Sequence, residues 1–387
     1  MVEKTLSRRE LLALAAAGAP ALALGSRWAT APAAWGQAPG PIVKPLPPEW
    51  FIPQGTNAEM RWEAMRDQRL LVRNERFFVR NHTATPRIDA ATWRLRVFGS
   101  GLRDPGGVEL SYDQLSRLET REITAAIECA GNGRRFFADQ QGTPAPGTQW
   151  RLGAIGLARW RGVPLSAVLE RAGVRPDAVD VMPEGLDNRV SADGADQGHV
   201  RRPLPIAKAL DDALLAFEMN GEELPPDHGF PARIVVPGWI GVASIKWVGS
   251  IEVSSAPLSS PWNTKWYRGL STQPVKSAFE LPWDAQLTPE RRTIELHGRS
   301  WSGGAPIRRV EVSTDGGASW GRAHVRGPNR PCGWARWTFP WRSPARGAHQ
   351  LLARATDRDG LTQPGTVPFN ENGYQFWAVV RHPVRVV

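Results

Sequence analysis

The sequence lacks several features that define large classes of protein. It has only 2 cysteines in 387 residues, so no framework of disulfides supports the fold. It has no long Lys/Arg run, although the formal net charge is +10. Scattered arginines argue against a nucleic-acid partner and favour a pocket for a small anion. No segment reaches the roughly 18 apolar residues of a spanning helix, so we expect no membrane span in the mature chain.

Motifs for the common redox cofactors are also missing. The chain has no CxxCH haem motif and no glycine-rich fingerprint for a nicotinamide or a flavin. No stretch before residue 60 would hold a haem domain. We therefore expect no haem, flavin or NAD. Electrons from any redox reaction would have to leave to an external carrier.

The N-terminus has the pattern of a targeting segment. Arg8 and Arg9 precede an apolar run at residues 11–24, and small residues at 29–31 offer a cleavage site. The residues around the arginine pair are similar to a twin-arginine signal, and an ordinary secretory leader is the alternative. We therefore predict a signal peptide over residues 1–38 and a periplasmic protein.

The rest of the chain divides into two parts. With 38 glycines and 34 prolines, it suits a loop-rich, strand-rich protein rather than a helical bundle. Helix and strand patterns alternate over residues 39–268, including a strand predicted at Ile245–Val248. Residues 269–387 carry short strand patterns at regular spacing, the last at Phe376–Val380, and a hairpin turn at Asp315–Gly317. The expected fold class is α+β, with a mixed α/β domain followed by an all-β, immunoglobulin-like sandwich.

Cys129 is the residue with the clearest chemical context. A predicted strand, Ile123–Ile127, runs directly into its loop, where two glycines would let the backbone approach a ligand. Arg134 and Arg135 would depress the pKa of the thiol and attract an anion. One lone cysteine cannot hold zinc or an iron–sulfur cluster, but it suits a soft metal whose other ligands come from an organic cofactor. A disulfide with Cys332 is the alternative, although the two lie in different predicted domains.

Several blocks around these residues occur in one known family. The chain resembles the sulfite oxidase family of molybdopterin oxidoreductases over almost the whole mature chain. The blocks are Glu128–Arg135 (ECAGNGRR), Phe77–His82 (FFVRNH), Asp227–Arg233, Val236–Gly238 with Ser244–Trp247, Glu184–Asp187 and Trp266–Gly269. The Trp301–Gly304 and Ser313–Trp320 segments are similar to the family's β-sandwich dimerisation domain. Any single block could occur by chance, but their shared order makes the match specific.

The resemblance implies a role for each matching residue. Cys129 would be the protein ligand of molybdenum, Arg80 would bind the sulfite oxyanion, and Tyr267 would be the active-site tyrosine. One of Arg134 and Arg135 would also face the substrate. The positions matching cofactor contacts are Phe78, Val79, Asn81, His82, Asp187, His228, Arg233, Ser244, Ile245 and Lys246. Taken alone, each could instead be an ordinary packing or surface residue.

The resemblance also implies a reaction and partners. The molybdenum–molybdopterin cofactor would oxidise sulfite to sulfate by oxygen-atom transfer, an external c-type cytochrome would accept the electrons, and the sandwich would form a homodimer. Two departures from the family pattern bear on the substrate: Gly133 is inserted relative to the vertebrate CAGNRR, and no arginine near Phe369–Gly373 matches one that lines the family's substrate pocket. The alternatives are a sulfane dehydrogenase-like subunit of a sulfur-oxidising complex, a methionine sulfoxide reductase, which lacks such a sandwich, and a non-enzymatic binding or assembly protein.

Overall fold

β-strands dominate the described part of the chain, and the helices there are short. The computed structural model describes residues 40–66 and 68–387. The predicted signal peptide, residues 1–38, lies outside these residues, and its assignment stays a prediction. Within the described ranges, no helix combines the length and apolar character needed to cross a bilayer.

Short strands follow one another along the described residues, with five α-helices and four 3-10 turns between them. The strands are β1 (Phe51–Gln54), β2 (Asn57–Met60), β3 (Arg94–Phe98), β4 (Val108–Ser111), β5 (Arg121–Glu128), β6 (Ile155–Pro164), β7 (Asp180–Gly185), β8 (Ser191–Ala192), β9 (Ala195–Asp196), β10 (Leu204–Pro205), β11 (Leu214–Met219), β12 (Glu222–Glu223), β13 (Arg233–Val235), β14 (Val248–Ser254), β15 (Lys276–Phe279), β16 (Ala285–Leu287), β17 (Thr293–Trp301), β18 (Ile307–Ser313), β19 (Gly321–Arg322), β20 (His324–Arg326), β21 (Trp334–Arg342), β22 (Gly347–Asp357) and β23 (His382–Val386). The helices are α1 (Tyr112–Ser116), α2 (Arg135–Gln141), α3 (Leu165–Arg171), α4 (Ile206–Asp211) and α5 (Pro261–Thr264), and the 3-10 turns span Trp62–Met65, Asn74–Arg76, Pro226–His228 and Gly241–Ala243.

The first part of the chain contains two five-stranded sheets and two separate strand pairs, β1-β2 and β8-β9. One has the order β10-β7-β14-β3-β4, with β14 parallel to β3 and the other pairs antiparallel. The other has the order β12-β11-β6-β5, with β13 also paired to β11. Strand β5 ends at Glu128, so its long antiparallel ladder with β6 places Cys129 at the end of a rigid element. This confirms the predicted strand that leads into the cysteine loop.

The second part of the chain is a two-layer β-sandwich. A four-stranded sheet (β15-β17-β21-β20) and a five-stranded sheet (β16-β23-β22-β18-β19) share one apolar core. Trp337 from one sheet and Val310 and Leu351 from the other are fully buried in that core. The sheet-rich architecture is confirmed, whereas the immunoglobulin-like class and the boundary at residue 269 stay predictions.

Local chemistry explains several element boundaries. Helix α1 begins with a capping box, in which the Ser111 hydroxyl accepts from the Gln114 N–H and the Gln114 side chain accepts from the Ser111 N–H. Helix α2 is capped after Gln141 by Gly142, whose φ of +73° suits a residue without a Cβ. Such caps satisfy backbone groups that a short helix leaves unpaired.

Two predicted strands are absent from their expected places. The ladder of β14 begins only at Val248, because Trp247 has a φ of +53° and the segment before it follows an irregular path. Strand β23 lies at His382–Val386 rather than at the predicted Phe376–Val380. Phe376 and its alternate apolar neighbours pack instead into the core of the first part, so their alternation reflects side-chain burial rather than a sheet.

Candidate active site

The Cys129 loop is fixed by its backbone. The Cys129 N–H donates to the Ala154 carbonyl at 2.9 Å, and the Asn132 N–H donates back to the Cys129 carbonyl at 2.9 Å. The Cys129 Sγ accepts from the Gly131 N–H at 3.4 Å. Both cysteines of the chain are free thiols, so the alternative disulfide with Cys332 does not form. The thiol of Cys129 is therefore available to a ligand.

A buried ion pair ties this loop to the sandwich. Glu128, the residue before Cys129, lies 2.8 Å from the Lys276 ammonium of β15, and their side chains are only 1% and 2% exposed. The same carboxylate accepts from Asn132 Nδ2 at 2.9 Å and from Trp301 Nε1 at 3.0 Å. Lys276 also donates to the Asn132 carbonyl at 2.7 Å. The cysteine loop is thus positioned from both parts of the chain.

The thiol of Cys129 lines a cavity that opens to solvent. All predicted site residues line this cavity except Val79, Arg134 and Arg135. Val79 is buried elsewhere, since its backbone pairs with Ala58 and its side chain packs near Phe51. The lining consists of Phe77, Phe78, Arg80, Asn81, His82, Ile127, Cys129, Ala130, Asp187, Val200, Asp227, His228, Arg233, Gly241, Val242, Ser244, Ile245, Lys246, Trp247 and Tyr267.

The two predicted arginines of the cysteine loop point elsewhere. Arg134 is buried, donates from Nε to the Asn372 carbonyl at 3.0 Å, and lies over the ring of Tyr374 at 5.2 Å. Arg135 is exposed and pairs with Asp139 at 2.8 Å. The predicted arginine pair therefore does not line the cavity, because the loop turns Arg134 behind the cavity wall and starts α2 on the surface with Arg135.

Arg80 is the guanidinium that stands beside the thiol. Burial would lower its pKa, but Tyr267, Cys129 and Tyr374 outweigh burial and raise the pKa above its ordinary value. Arg80 donates to the Asn81 carbonyl and, at 3.5 Å, to Asn57 Oδ1. It remains charged at any physiological pH and can attract an anion to the thiol.

Two further basic side chains, Lys246 and Arg233, line the cavity. Lys246 donates to Asn81 Oδ1 and to the Asp227 carbonyl at 2.8 Å. Arg233 donates to the carbonyls of His228 and Ser244 at 2.9 and 3.0 Å. Burial lowers the pKa of Arg233 to about 9, and burial together with Arg233 holds the pKa of Lys246 well below its usual range. Burial removes water from these basic side chains and makes their charged forms less favourable. A bound anion would compensate for that loss, so the site is suited to an anion.

The two histidines of the cavity are held neutral. Burial, then Arg80 and Lys246, hold the pKa of His82 well below its usual range. Burial, then Lys44 and other nearby cations, do the same for His228. Lys44 Nζ lies 3.5 Å from His228 Nε2, and burial lowers the pKa of Lys44 to about 7. At neutral pH both imidazoles can therefore offer one donor and one acceptor.

The two carboxylates of the lining differ in their partners. Asp227 accepts from Thr85 Oγ1 at 2.6 Å and from the N–H groups of Val43 and Lys44 at 2.9 and 2.8 Å. It therefore fastens the N-terminal arm to the cavity. Asp187 is buried, and its Oδ1 has no partner among the described residues. Burial raises the pKa of Asp187 to about 6, so this oxygen would accept readily from a ligand N–H.

Sequence reasoning missed part of this site. Phe77, Asp227 and Trp247 line the cavity and stand inside the recognised blocks, so adjacency to predicted residues could have found them. The aliphatic lining residues Val200 and Val242 carry no chemical signal. Tyr374 stacks on Tyr267 from more than a hundred residues away, which only the fold reveals. No cluster of three or more His, Cys, Asp or Glu side chains suited to a metal ion occurs among the described residues.

Two family models match the chain. Residues 82–262 match the oxidoreductase molybdopterin binding domain, and residues 269–382 match the Mo-co oxidoreductase dimerisation domain. The first match contains most of the cavity lining, including Cys129, but not Arg80 or Tyr267. The second match covers most of the sandwich.

Similar proteins of known name support the same assignment. Sulfite oxidase of Gallus gallus is 36% identical over 341 residues, which cover 80% of this chain and 72% of that protein. Mitochondrial sulfite oxidase of Homo sapiens is 37% identical over 76% of this chain, and the chain spans only 57% of the length of that relative. The crystal structure of the sulfane dehydrogenase SoxCD from Paracoccus pantotrophus aligns with a TM-score of 0.72 at 28% identity, covering 88% of this chain and 87% of that one.

Proposed function

Because the chain belongs to the sulfite oxidase family of molybdopterin oxidoreductases, we propose that this oxidoreductase converts sulfite to sulfate and passes the electrons to an external c-type cytochrome. The observation that carries the proposal is the shared cavity of Cys129 and Arg80. A thiol suits a soft metal, and a guanidinium fork beside it suits an oxyanion.

The residues of the cavity fit a molybdenum–molybdopterin cofactor. Cys129 would ligate the metal, and Lys246 and Arg233 would hold the cofactor's phosphate. The unpartnered Oδ1 of Asp187 would accept from an N–H of the pterin ring. When bound, the cofactor supplies the two-electron oxygen-atom transfer, whereas the protein supplies binding, orientation and charge.

The substrate would be held by two side chains beside the thiol. Arg80 would bind the sulfite oxyanion and offset its charge, since it is cationic and lies next to Cys129. Tyr267 is almost fully buried in the cavity wall, and its hydroxyl would donate a hydrogen bond to the same anion. Because Tyr267 is buried, water competes little for its hydroxyl.

Substrate specificity can be tested on purified, correctly exported protein. Molybdenum and pterin content would be measured first. Cytochrome c reduction would then be followed with sulfite and with thiosulfate, and methionine sulfoxide would be tested in the opposite direction, as an oxidant of a reduced viologen dye. We expect bound molybdenum and reduction driven by sulfite. A protein without molybdenum would refute the enzyme assignment, and a loaded protein that ignores sulfite would refute the substrate.

Oxidation of protein-bound sulfane sulfur is a second candidate. The chain covers 87% of the SoxCD chain but 57% of the human sulfite oxidase, and among the described residues no arginine of the sandwich lines the cavity. Less positive charge at the substrate would favour a sulfur atom carried by a partner protein over a free oxyanion. Cytochrome reduction with a persulfidated carrier protein, but not with sulfite, would establish this candidate.

The assembly and location of the protein are also proposals. The match to a dimerisation domain supports a homodimer formed through the sandwich. The arginine pair Arg8 and Arg9 supports export to the periplasm by the twin-arginine route. Sedimentation of the purified protein and fractionation of cells would test the two proposals separately.

A further inference from the structure

A second tyrosine supports the cavity wall from behind. The ring of Tyr374 stacks on that of Tyr267, with centroids 4.5 Å apart and planes 17° from parallel. Tyr267 lines the cavity, but Tyr374 does not. Both rings are almost fully buried and belong to one small apolar cluster with Ala130, the residue after Cys129.

The backbone around Tyr374 is fixed to the cysteine loop. The Asn370 side chain accepts from the Tyr374 N–H and donates to its carbonyl, both at 2.8 Å. The next N–H, of Gln375, donates to the Ala130 carbonyl at 2.7 Å. Gly373 before it has a φ of +58°, and a Cβ there would lie 2.4 Å from the Cβ of Ala145. The segment therefore has little freedom to move.

Arg134 holds Tyr374 in turn. Its guanidinium lies over the Tyr374 ring at 5.2 Å and is fixed by the carbonyls of Asn372 and Thr148 at 3.0 and 2.9 Å. Such a cation–π contact favours one ring orientation. The residues form a stack that runs from Arg134 through Tyr374 to Tyr267, which stands beside Arg80.

Tyr267 needs this support because its own backbone does not favour its position. Its φ of +51° lies in the left-handed region, which is uncommon for a residue with a Cβ. A residue keeps such a conformation only where its surroundings hold it there. The stacked ring of Tyr374 is a major part of those surroundings.

We propose that Tyr374 is a positioning residue for Tyr267, and that Arg134 orients Tyr374 rather than the substrate. The sulfite kinetics used to test this rest on the proposed function, whereas the positional claim does not. The stacked ring keeps the Tyr267 hydroxyl at the end of the cavity where Arg80 and Cys129 meet. A misplacement of about 1 Å at such a group lowers turnover by on the order of 10²-fold.

Kinetics of four variants test the proposal. We expect Tyr374→Leu to lower kcat/KM for sulfite by tenfold or more, on the order of the same misplacement effect. If the loss arises through Tyr267, Tyr374→Leu and Tyr267→Phe should change kcat and KM in the same proportion. Tyr374→Phe keeps the stacked ring and should retain most activity. Phe369→Leu removes an aromatic ring from the same segment that packs on Phe137 instead, and serves as the control.

The double variant Tyr374→Leu with Tyr267→Phe separates positioning from general damage. If Tyr374 acts through Tyr267, the double variant loses no more than Tyr267→Phe alone, whereas independent effects multiply. Multiplying losses, or wild-type kinetics in Tyr374→Leu, would overturn the proposal.

Crystal structures of the Tyr374→Leu and Tyr374→Phe variants give a readout that does not depend on activity. We expect the Tyr267 ring to leave its place in the leucine variant and to keep it in the phenylalanine variant. An unmoved ring in both would overturn the proposal. If the wild type ignores sulfite, the proposed function fails alone, and these structures still decide the role of Tyr374.

Discussion

The thiol of Cys129 and the backbone that carries it have separate partners. Its N–H is bonded to the Ala154 carbonyl, so exchanging sulfur for oxygen leaves the loop's backbone bonds intact. A serine hydroxyl, however, is a poor ligand for a soft metal. The thiol of Cys129 can therefore be tested for chemistry without destroying the fold.

We predict that Cys129→Ser yields a folded protein with little molybdenum and essentially no sulfite oxidation. Metal analysis, sulfite-dependent cytochrome c reduction and thermal unfolding would be measured together. Cys332→Ser is the matched control, because Cys332 is the other free cysteine and does not line the cavity. Full activity in Cys129→Ser would make Cys129 a structural residue.

The arginines of the site predict different kinetic effects. Arg80→Gln removes the cation beside the thiol and should raise the KM for sulfite at least tenfold, as loss of a charged hydrogen bond worth about 1.5–3 kcal/mol implies. Its melting temperature should change little. Arg135→Gln alters only an exposed ion pair with Asp139 and should leave KM within about twofold. Equal effects of the two would contradict the placement of Arg135 on the surface.

Glu59 predicts a dependence of stability on pH. Its side chain is 3% exposed, accepts from the Gly153 N–H at 3.0 Å, and burial raises its pKa to about 7. Between about pH 4.5 and 7, the Glu59 carboxyl is therefore protonated in the folded state and ionised in the unfolded state. The unfolding free energy should fall across this window as pH rises, by on the order of 3 kcal/mol in total.

The variant Glu59→Gln removes this titration while keeping an acceptor for the Gly153 N–H. The unfolding free energy of Glu59→Gln, minus that of wild type, should increase as pH rises from about 4.5 to 7. Above this window the difference should stay constant. Urea unfolding at several pH values would measure the difference. Glu63→Gln is the control, since Glu63 is partly exposed and pairs with Arg61. Parallel curves for wild type and Glu59→Gln would contradict the prediction.

At the scale of elements, strand β15 and the cysteine loop depend on one another. Lys276→Met would leave the carboxylate of Glu128 buried without its cation, and breaking such a pair destabilises proteins by about 3–5 kcal/mol. We expect that loss in unfolding free energy, measured with urea, and a lower molybdenum content because the Cys129 loop loosens.

A second substitution tests whether the charge is the cause. Adding Glu128→Gln to Lys276→Met removes the unpaired charge, so the double variant should regain part of the lost stability. The amide oxygen that Glu128→Gln introduces would still accept from Trp301 Nε1. A double variant as unstable as the sum of both single variants would show that packing, not charge, holds this contact.

The sequence predicts a strand correctly where the residues of that strand alone determine it. The strand before Cys129 is predictable because its apolar run ends at a glycine-rich loop, and β18 is predictable from alternation. The strand predicted at Ile245–Val248 is wrong because a left-handed residue, Trp247, interrupts it, and alternation cannot reveal one φ angle. The apolar alternation that begins at Phe376 predicts a strand. In the structure these side chains pack against α2 instead.

The candidate site shows the same division. Charged and polar lining residues such as Arg80 and Lys246 could be predicted because their blocks resemble a known family. Arg134 could not be placed, since adjacency to Cys129 does not tell which way a side chain leaves a turn. Tyr374 and Lys276 could not be found either, because both reach the site through contacts between distant parts of the chain.

At the scale of the whole molecule, the cavity exists only in the folded chain. Its lining runs from Phe77 to Tyr267, and the anchor of the Cys129 loop comes from Lys276 in the sandwich. An unfolded chain has no such site, so binding of a large cofactor is coupled to folding. A protein loaded before export must therefore cross the membrane folded, which is the property of the twin-arginine route.

We predict that replacing Arg8 and Arg9 with lysines leaves molybdenum-loaded, active protein in the cytoplasm. Cell fractionation, metal analysis and sulfite-dependent cytochrome c reduction would follow both compartments. A matched chain, with residues 1–38 exchanged for a leader that exports unfolded proteins, should reach the periplasm without molybdenum. If the lysine variant were exported and loaded like wild type, the arginine pair would not direct export. If the exchanged leader delivered loaded protein, folding and loading would follow transport rather than precede it.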